Sequence, residues 1–296
     1  MKSTRSWHYL ALLVLALTWG SSFILMKKAL RDESGSPVLF PAQVAGLRMG
    51  IAALVLMPVS LKVFRKLSIS DWKYLSVVGL VGSGMPAVLF TTSQQYLDSG
   101  IAGILNALTP LFTLLIGLLV FRRVVMPRQF MGVFIGLGGA ISLISLRGFG
   151  DSANWAYSLL IVLATLFYGI SVNTIAAKLR HIRPLHITAI SLLIAAVPWG
   201  IYLSTSNVTE VVGTNAHGTE SLLAVTVLAV MGTCVANMLY FWLTQQTSPL
   251  FASSVTYMMP LVAIGWGMAD NEVVGLPQIL CGLIILTGVW LTSAKV

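Results

Sequence analysis

Long apolar runs, separated by short loops that carry most of the charges, make up nearly all of this sequence. A helix that crosses the hydrocarbon core of a bilayer needs about 20 mostly apolar residues. Ten runs have approximately this length, at residues 9–27, 41–62, 73–96, 100–121, 128–146, 154–177, 185–204, 221–244, 249–269 and 276–294. Hydrophobic residues form 57% of the chain and charged residues only 9%, against about 25% charged residues in a soluble domain. We therefore predict an all-α integral membrane protein with ten transmembrane helices.

The basic residues are divided unevenly between the two sets of loops. With ten spans, the side that holds the N-terminus also holds 13 of the 18 Lys and Arg residues. The other side holds Lys27, Lys28, Arg31 and Arg147, and Arg48 lies within a span. The positive-inside rule then places both termini in the cytoplasm. The net charge of +9 thus reports orientation in the bilayer rather than a nucleic-acid partner, and the short loops favour a multi-pass protein of a bacterial inner membrane.

The second half of the sequence repeats the first. At a shift of 150 residues the matched positions include Gly82/Gly232, Gln95/Gln245, Pro110/Pro260, Gly132/Gly282 and Gly138/Gly288. At a shift of 149 the first helix matches the sixth, as in Gly20/Gly169 and Ser22/Ser171. We predict one five-helix repeat over 1–148 and a second over 149–296. Because five is odd, the second copy is inverted, which is typical of secondary transporters with a substrate site between the repeats.

Several segments taken together resemble the EamA-domain members of the drug/metabolite transporter superfamily. They are Thr18-Trp19-Gly20-Ser21-Ser22-Phe23, Leu47-Arg48, a block from Gln95 through Pro110-Leu111 to Gly132, and a block from Gln245 through Pro260-Leu261 to Glu272 and Gly282. The resemblance covers nearly the whole chain. It implies a ten-helix inverted repeat around a central cavity and export of small metabolites, including amino acids and their relatives. It also implies a Glu after helices 4 and 9; Glu272 agrees, but its repeat mate is Arg122.

Polar side chains inside apolar spans are expected to face the protein interior, because exposing them to lipid is costly. On this basis and by helical spacing, the candidate substrate-binding residues are Trp19, Ser22, Arg48, Gln94, Asn106, Thr109, Tyr168, Asn237 and Tyr257. Pro110 and Pro260 are candidate hinges, since a proline frees backbone carbonyls. The alternatives are packing between helices for the Ser, Thr and Asn side chains and a tolerated bend for each proline. The pattern Gly132-x-x-x-Gly136 indicates close helix packing, within the chain or in a dimer.

Arg48 is the basic residue deepest in a span. It is predicted either to bind a substrate carboxylate, to extend toward the membrane surface, or to bind carbonyls of a neighbouring helix. The aromatic rings of Trp19, Tyr168 and Tyr257 suit an apolar or aromatic part of a substrate.

The groups that are missing narrow the function further. No Asp or Glu lies at mid-span, and no Walker A motif is present. Cys234 and Cys281 lie inside apolar runs without metal-ligand spacing, so neither a metal nor another cofactor is predicted. An intramembrane enzyme would need acid–base groups within reach of one another, and a sensor without flux would need an effector domain; neither class is favoured.

We therefore predict an alternating-access exporter of small neutral or zwitterionic metabolites, with amino acids or related compounds as the favoured substrates. The alternative is a broad-specificity exporter of hydrophobic or cationic compounds. The expected partners are a small-molecule substrate and the lipid bilayer, and the sequence allows a monomer or a dimer.

Overall fold

The computed structural model describes residues 2–122, 126–146 and 154–293, and helices account for most of them. In the first half the α-helices are α1 (Lys2–Leu30), α2 (Pro41–Val63), α3 (Ile69–Ser76), α4 (Met85–Ser93), α5 (Ser99–Asn106), α6 (Thr109–Leu119) and α7 (Pro127–Ser145). In the second half they are α8 (Asn154–Lys178), α9 (Pro184–Thr205), α10 (Val208–Thr214), α11 (Gly218–Ala229), α12 (Ala236–Gln246), α13 (Pro249–Ser253), α14 (Met259–Ala269) and α15 (Leu276–Ser293). No strand occurs in these ranges. The all-α prediction is confirmed.

Nine helical stretches of the described chain are long and apolar enough to cross a bilayer. They are Ser6–Leu30, Pro41–Lys66, Ile69–Ser93, Ser99–Leu119, Pro127–Ser145, Trp155–Lys178, Pro184–Thr205, Gly218–Gln246 and Pro249–Ala269, and each corresponds to one of the first nine predicted spans. The tenth predicted span is helix α15, whose apolar part, Leu276–Leu291, is shorter. The count of ten spans therefore stays a prediction.

Orientation also stays a prediction. Among the basic residues used to assign it, Arg123, Arg147 and Lys295 lie outside the described residues, as do the side chains of Lys2 and Arg5. The predicted boundary between the repeats, at 148/149, lies outside them as well.

Local sequence explains where several helices begin. Helices α2, α7 and α9 each start at a proline. The fixed φ of proline suits the first turn, and because the first N–H groups of a helix have no partner within it, the absence of an N–H costs nothing there. The third span starts earlier than the predicted residue 73, because Ser68 and Asp71 form a reciprocal capping box ahead of α3. Helix α10 was not predicted; it is a short turn of helix in the loop after α9.

Four predicted spans are irregular, and the irregularities recur in both halves. A π-helical segment, Val77–Gly84, joins α3 to α4, and another, Val230–Val235, joins α11 to α12. A break separates α5 from α6, and a 3₁₀ turn, Ser254–Tyr257, separates α13 from α14. Pro110 and Pro260 therefore do not kink a continuous helix; each takes the second position of a new one, where its ring meets no preceding turn.

The remaining helices enclose this irregular centre. Helix α15 packs closely on α7, where a Cβ on Gly288 would lie 2.6 Å from the carbonyl oxygen of Gly132 and would clash with Gly136. Large apolar side chains such as Leu54, Phe134 and Leu261 are exposed on the outside. An apolar exterior of this kind is what lipid requires. The contact with Gly288 shows that the Gly132-x-x-x-Gly136 pattern packs two helices together within the chain.

Candidate functional site

A cavity lies in the middle of the bundle, between helices of both halves. About 840 Å³ of its space is free of protein atoms, including the part that opens to the surroundings, and the centre of a water molecule can occupy about 90 Å³. The lining residues are Trp19, Ser22, Phe23, Met26, Arg48, Met49, Gly82, Ser83, Phe90, Asn106, Thr109, Tyr168, Ser171, Thr233, Asn237, Tyr240, Phe241, Val255, Thr256 and Met259.

Most of the residues selected from the sequence meet in this cavity. Those that line it are Trp19, Ser22, Arg48, Asn106, Thr109, Tyr168 and Asn237. They come from α1, α2, α5, α6, α8 and α12. Residues far apart in sequence are thus brought into one site.

Gln94 and Tyr257 do not line the cavity. The Gln94 side chain is buried and its Nε2 donates to the carbonyl oxygen of Phe23 at 3.1 Å, just beyond the end of α4. The Tyr257 hydroxyl donates to the carbonyl oxygen of Val289 in α15 at 2.7 Å. The sequence argument assumed a regular α-helix through Tyr257, but this residue ends a 3₁₀ turn, which has three residues per turn and changes the direction of the side chains.

Two aromatic pairs form much of the cavity surface. The rings of Trp19 and Tyr240 lie 5.0 Å apart in an edge-on arrangement, and those of Phe90 and Tyr168 are stacked at 6.0 Å. The Trp19 indole N–H donates to the carbonyl oxygen of Gly232 at 2.8 Å, within the π-helical segment before α12. This bond fixes the indole and leaves its face available for apolar contact.

Eleven of the twenty lining residues carry a hydroxyl, amide or guanidinium group, and these groups are only partly satisfied. Arg48 donates from Nε to the Thr233 hydroxyl at 2.7 Å, and that hydroxyl donates to the carbonyl oxygen of Leu228 at 3.1 Å. The side-chain oxygens of Ser83 and Asn106 are buried without a hydrogen-bond partner among the described residues. Buried polar atoms without partners are rare in proteins, and these two belong to residues that line the cavity.

The two halves of the chain contribute matched residues to the lining. At shifts of 149 or 150, six pairs of lining residues correspond: Trp19/Tyr168, Ser22/Ser171, Ser83/Thr233, Phe90/Tyr240, Asn106/Thr256 and Thr109/Met259. Each of the two aromatic pairs thus repeats the other. The cavity is built at the interface of two similar halves.

Sequence reasoning did not select the apolar lining residues, among them Phe23, Met49, Phe90 and Phe241. An apolar side chain in a membrane helix gives no sign of whether it faces lipid or a cavity. Phe90 could have been found through the repeat, because it is the mate of Tyr240 at a shift of 150 residues.

No Asp or Glu lines the cavity. Carboxylates do lie at the end of the bundle where α1 finishes: Lys27 contacts Asp270 at 2.7 Å and Glu272 at 2.9 Å. Within the described ranges, no group of three or more His, Cys, Asp or Glu side chains has the arrangement of a metal site.

Comparison with known proteins places these features in a family. The pattern of the EamA-like transporter family matches residues 6–145 and again residues 155–294. The uncharacterized inner membrane transporter YedA of Escherichia coli strain K12 is 28% identical over 292 residues, with 96% of this chain and 90% of the relative covered. The uncharacterized transporter YoaV of Bacillus subtilis strain 168 is 25% identical, with 96% of each chain covered. A solved crystal structure shares the fold with a TM-score of 0.64 at 15% identity, over 97% of both chains.

Proposed function

Because this chain belongs to the EamA-like transporter family, we propose that it is a secondary transporter that exports a small neutral or zwitterionic metabolite by alternating access. The family and the curated relatives are transporters rather than enzymes. Amino acids or related compounds are the proposed substrates. A bacterial inner membrane with both termini in the cytoplasm is the proposed setting, supported by the name of the Escherichia coli relative and by the uneven distribution of basic residues.

The observation that carries this proposal is the central cavity. It lies between two matched halves, it is apolar over most of its surface, and eleven of its twenty lining residues carry hydroxyl, amide or guanidinium groups, of which two are unsatisfied. This is the composition of a small-molecule site, in which apolar walls give affinity and polar groups fix orientation.

Alternating access is supported by the repeated irregular segments. The π-helical segments and the breaks before α6 and α14 border the cavity in both halves. Such segments leave backbone groups outside the regular helical ladder, and proteins tolerate them at membrane depth only beside protein or a cavity. If the repeats are inverted, movement of one half against the other exposes the cavity to each side in turn.

The second candidate is a broad-specificity exporter of hydrophobic or cationic compounds. The aromatic pairs favour hydrophobic compounds, since rings bind apolar groups well. A cation is disfavoured because Arg48 supplies positive charge and no carboxylate in the lining opposes it.

The test is counterflow in liposomes that contain the purified protein. The liposomes are loaded with unlabelled amino acids, and entry of each labelled compound is followed with and without an imposed pH gradient. We expect selective entry of at least one compound, independent of the gradient because no carboxylate lines the cavity. Entry that follows the gradient would contradict the gradient-independent mechanism.

Two variants link any flux to the cavity. Asn237→Trp fills the cavity and is expected to stop transport. Leu223→Trp, at a position that is 64% exposed on the surface of the bundle, is the matched control and is expected to leave transport unchanged. Flux that persists in Asn237→Trp, or no flux of any compound by folded protein, would overturn the proposal.

A further inference from the structure

Arg48 is the one charged residue in the lining of the cavity. Its Nε donates to Thr233, but within the described ranges no protein group accepts a hydrogen bond from its two terminal amino groups. The titratable groups that act on it are Tyr168 and Cys234, and neither is a carboxylate. Arg48 thus directs donors of a fixed positive charge into the cavity.

An unpaired charge in this position is costly. A charge removed from water and left without a counter-ion destabilises a protein by several kcal/mol, so buried arginines are ordinarily paired. A guanidinium group keeps its proton at physiological pH in proteins. An anion that enters the cavity would remove this cost by pairing with Arg48.

The fold itself does not need an arginine at this place. Helices α2 and α9 both begin at a proline, Pro41 and Pro184, and both continue to the same three residues, Ile-Ala-Ala at 51–53 and 194–196. Counted from these prolines, Ser191 corresponds to Arg48. Ser191 is fully buried and packs against Gly79. A small residue thus suffices in the second half, whereas six other lining positions are matched between the halves.

The groups around Arg48 fit a ligand that carries both a planar anionic group and a second polar group. Thr233 holds the guanidinium through Nε, so that the two terminal amino groups remain free for a planar partner with two oxygens. The Asn106 side chain lines the same cavity, and its Oδ1 acceptor is buried without a hydrogen-bond partner. An ammonium or hydroxyl group on the ligand would satisfy it.

From these observations we infer that Arg48 binds the carboxylate of the substrate and makes the cavity selective for carboxylate-bearing molecules over the corresponding amides. This inference rests on the proposed function, because it takes the cavity to be the transport site. The Arg48 charge pairs with the carboxylate, Thr233 positions the guanidinium, and the aromatic pairs contact the remainder of the molecule.

The experiment compares acids with their amides as ligands of the purified protein in detergent. The probes are leucine with leucinamide and phenylalanine with phenylalaninamide, and the readout is the concentration at which each raises the melting temperature. For the wild type we expect each acid to raise the melting temperature at a concentration about tenfold lower than its amide does. A factor of this size is the usual effect of a hydrogen bond to a charged group. In Arg48→Met the preference is expected to disappear, and in Arg48→Lys to be partly retained, because lysine keeps the charge but not the two-pronged geometry.

Arg65→Met, which removes an exposed arginine outside the cavity, is the matched control and should keep the preference of the wild type. Thr233→Val is a second variant that retains Arg48 and its charge; loss of the positioning hydroxyl should weaken binding of the acids and leave binding of the amides unchanged.

Three results would overturn the inference. They are equal stabilisation of the wild type by acids and amides, no stabilisation of the wild type by any of the acids, and an undiminished preference for the acids in Arg48→Met. Because this measurement detects binding without flux, a selective acid response in protein that transports nothing would support Arg48 as the anchor while contradicting the proposed transport.

Discussion

Helices α6 and α14 have the same length, but the residues just beyond them differ in charge, and the residue with positive φ comes three positions after α6 and two positions after α14. Both are 11 residues long, and their bounds match at a shift of 150. A non-glycine residue with positive φ follows each helix, Arg122 at 51° and Asn271 at 60°. At the position that Arg122 occupies in the first half, the second half has Glu272.

This difference gives one end of the bundle a cluster of charges. Glu272 is buried, contacts Lys27 of α1 at 2.9 Å and accepts a hydrogen bond from the backbone N–H of Gly100 at 3.4 Å. Lys27 also contacts Asp270. Arg122 is exposed in the corresponding place. The cluster joins α1, α5 and the loop after α14.

The largest effect is expected when this cluster is broken. Lys27→Met leaves the Glu272 carboxylate, whose side chain is 2% exposed, without its ammonium partner. Loss of one partner of a buried pair costs roughly 3–5 kcal/mol, and since Lys27 is itself partly exposed we expect about 2 kcal/mol here. The measurement is thermal unfolding of the purified protein in detergent.

Lys28→Met is the matched control, because Lys28 lies 3.7 Å from Asp270 and its side chain is 53% exposed. An exposed pair of this kind contributes about 0–1 kcal/mol. The double variant Lys27→Met/Glu272→Gln, which leaves no buried charge, should recover most of the loss. Equal destabilisation by the two lysine variants, or no recovery in the double variant, would show that the cluster does not stabilise this end.

A second, smaller effect compares two matched contacts beside the cavity. A Cβ on Gly82 would clash with the Ser171 hydroxyl and lie 2.5 Å from the Ser171 Cβ, whereas a Cβ on Gly232 would lie 2.8 Å from the Ser22 hydroxyl and 3.9 Å from the Ser22 Cβ. Overpacking costs typically about 1–3 kcal/mol. We expect Gly82→Ala to fall in the upper part of this range and Gly232→Ala in the lower part, again by thermal unfolding.

Repair variants test the reason for this difference. Ser22→Ala removes the nearest atom that Gly232→Ala meets and leaves Leu228 Cδ1 at 3.2 Å, so the double variant should regain most of the stability of Ser22→Ala alone. Ser171→Ala leaves its Cβ in place and should not repair Gly82→Ala, but Ser171→Gly should. Repair of both contacts by alanine would mean that the two halves pack alike at this point.

The sequence predicted the regular parts of the fold well and the irregular parts poorly. The predicted spans 154–177 and 185–204 agree closely with α8 (Asn154–Lys178) and α9 (Pro184–Thr205), because apolar length is what a bilayer selects. The π-helical segments and the 3₁₀ turn are not visible in hydropathy, since they change backbone hydrogen bonding and not composition.

The candidate site shows the same limit. Trp19, Arg48 and Asn237 were found because aromatic, charged or amide groups are conspicuous in an apolar span. Tyr257 satisfied the same criterion, but the 3₁₀ turn directs its hydroxyl to α15. Phe241 lines the cavity and offered no signal at all. Helical spacing locates a side chain only where the helix is regular.

The smallest effect concerns the two residues with positive φ. At positive φ a side chain destabilises the fold by roughly 1–2 kcal/mol through steric clash, and the effect is smaller for asparagine because its short polar side chain can hydrogen-bond to the nearby backbone. Glycine has no such clash, although it loses about 0.5–1 kcal/mol more conformational entropy on folding. Arg122→Gly should therefore stabilise the protein by up to about 1 kcal/mol, whereas Asn271→Gly should change stability by less than about 0.5 kcal/mol. Thermal unfolding of the two variants measures the difference, with Arg122→Ala as the control that removes the side chain but retains the strain. If Arg122→Ala stabilised as much as Arg122→Gly, the cost would come from the arginine charge, and the two helix endings would differ in electrostatics rather than in backbone strain.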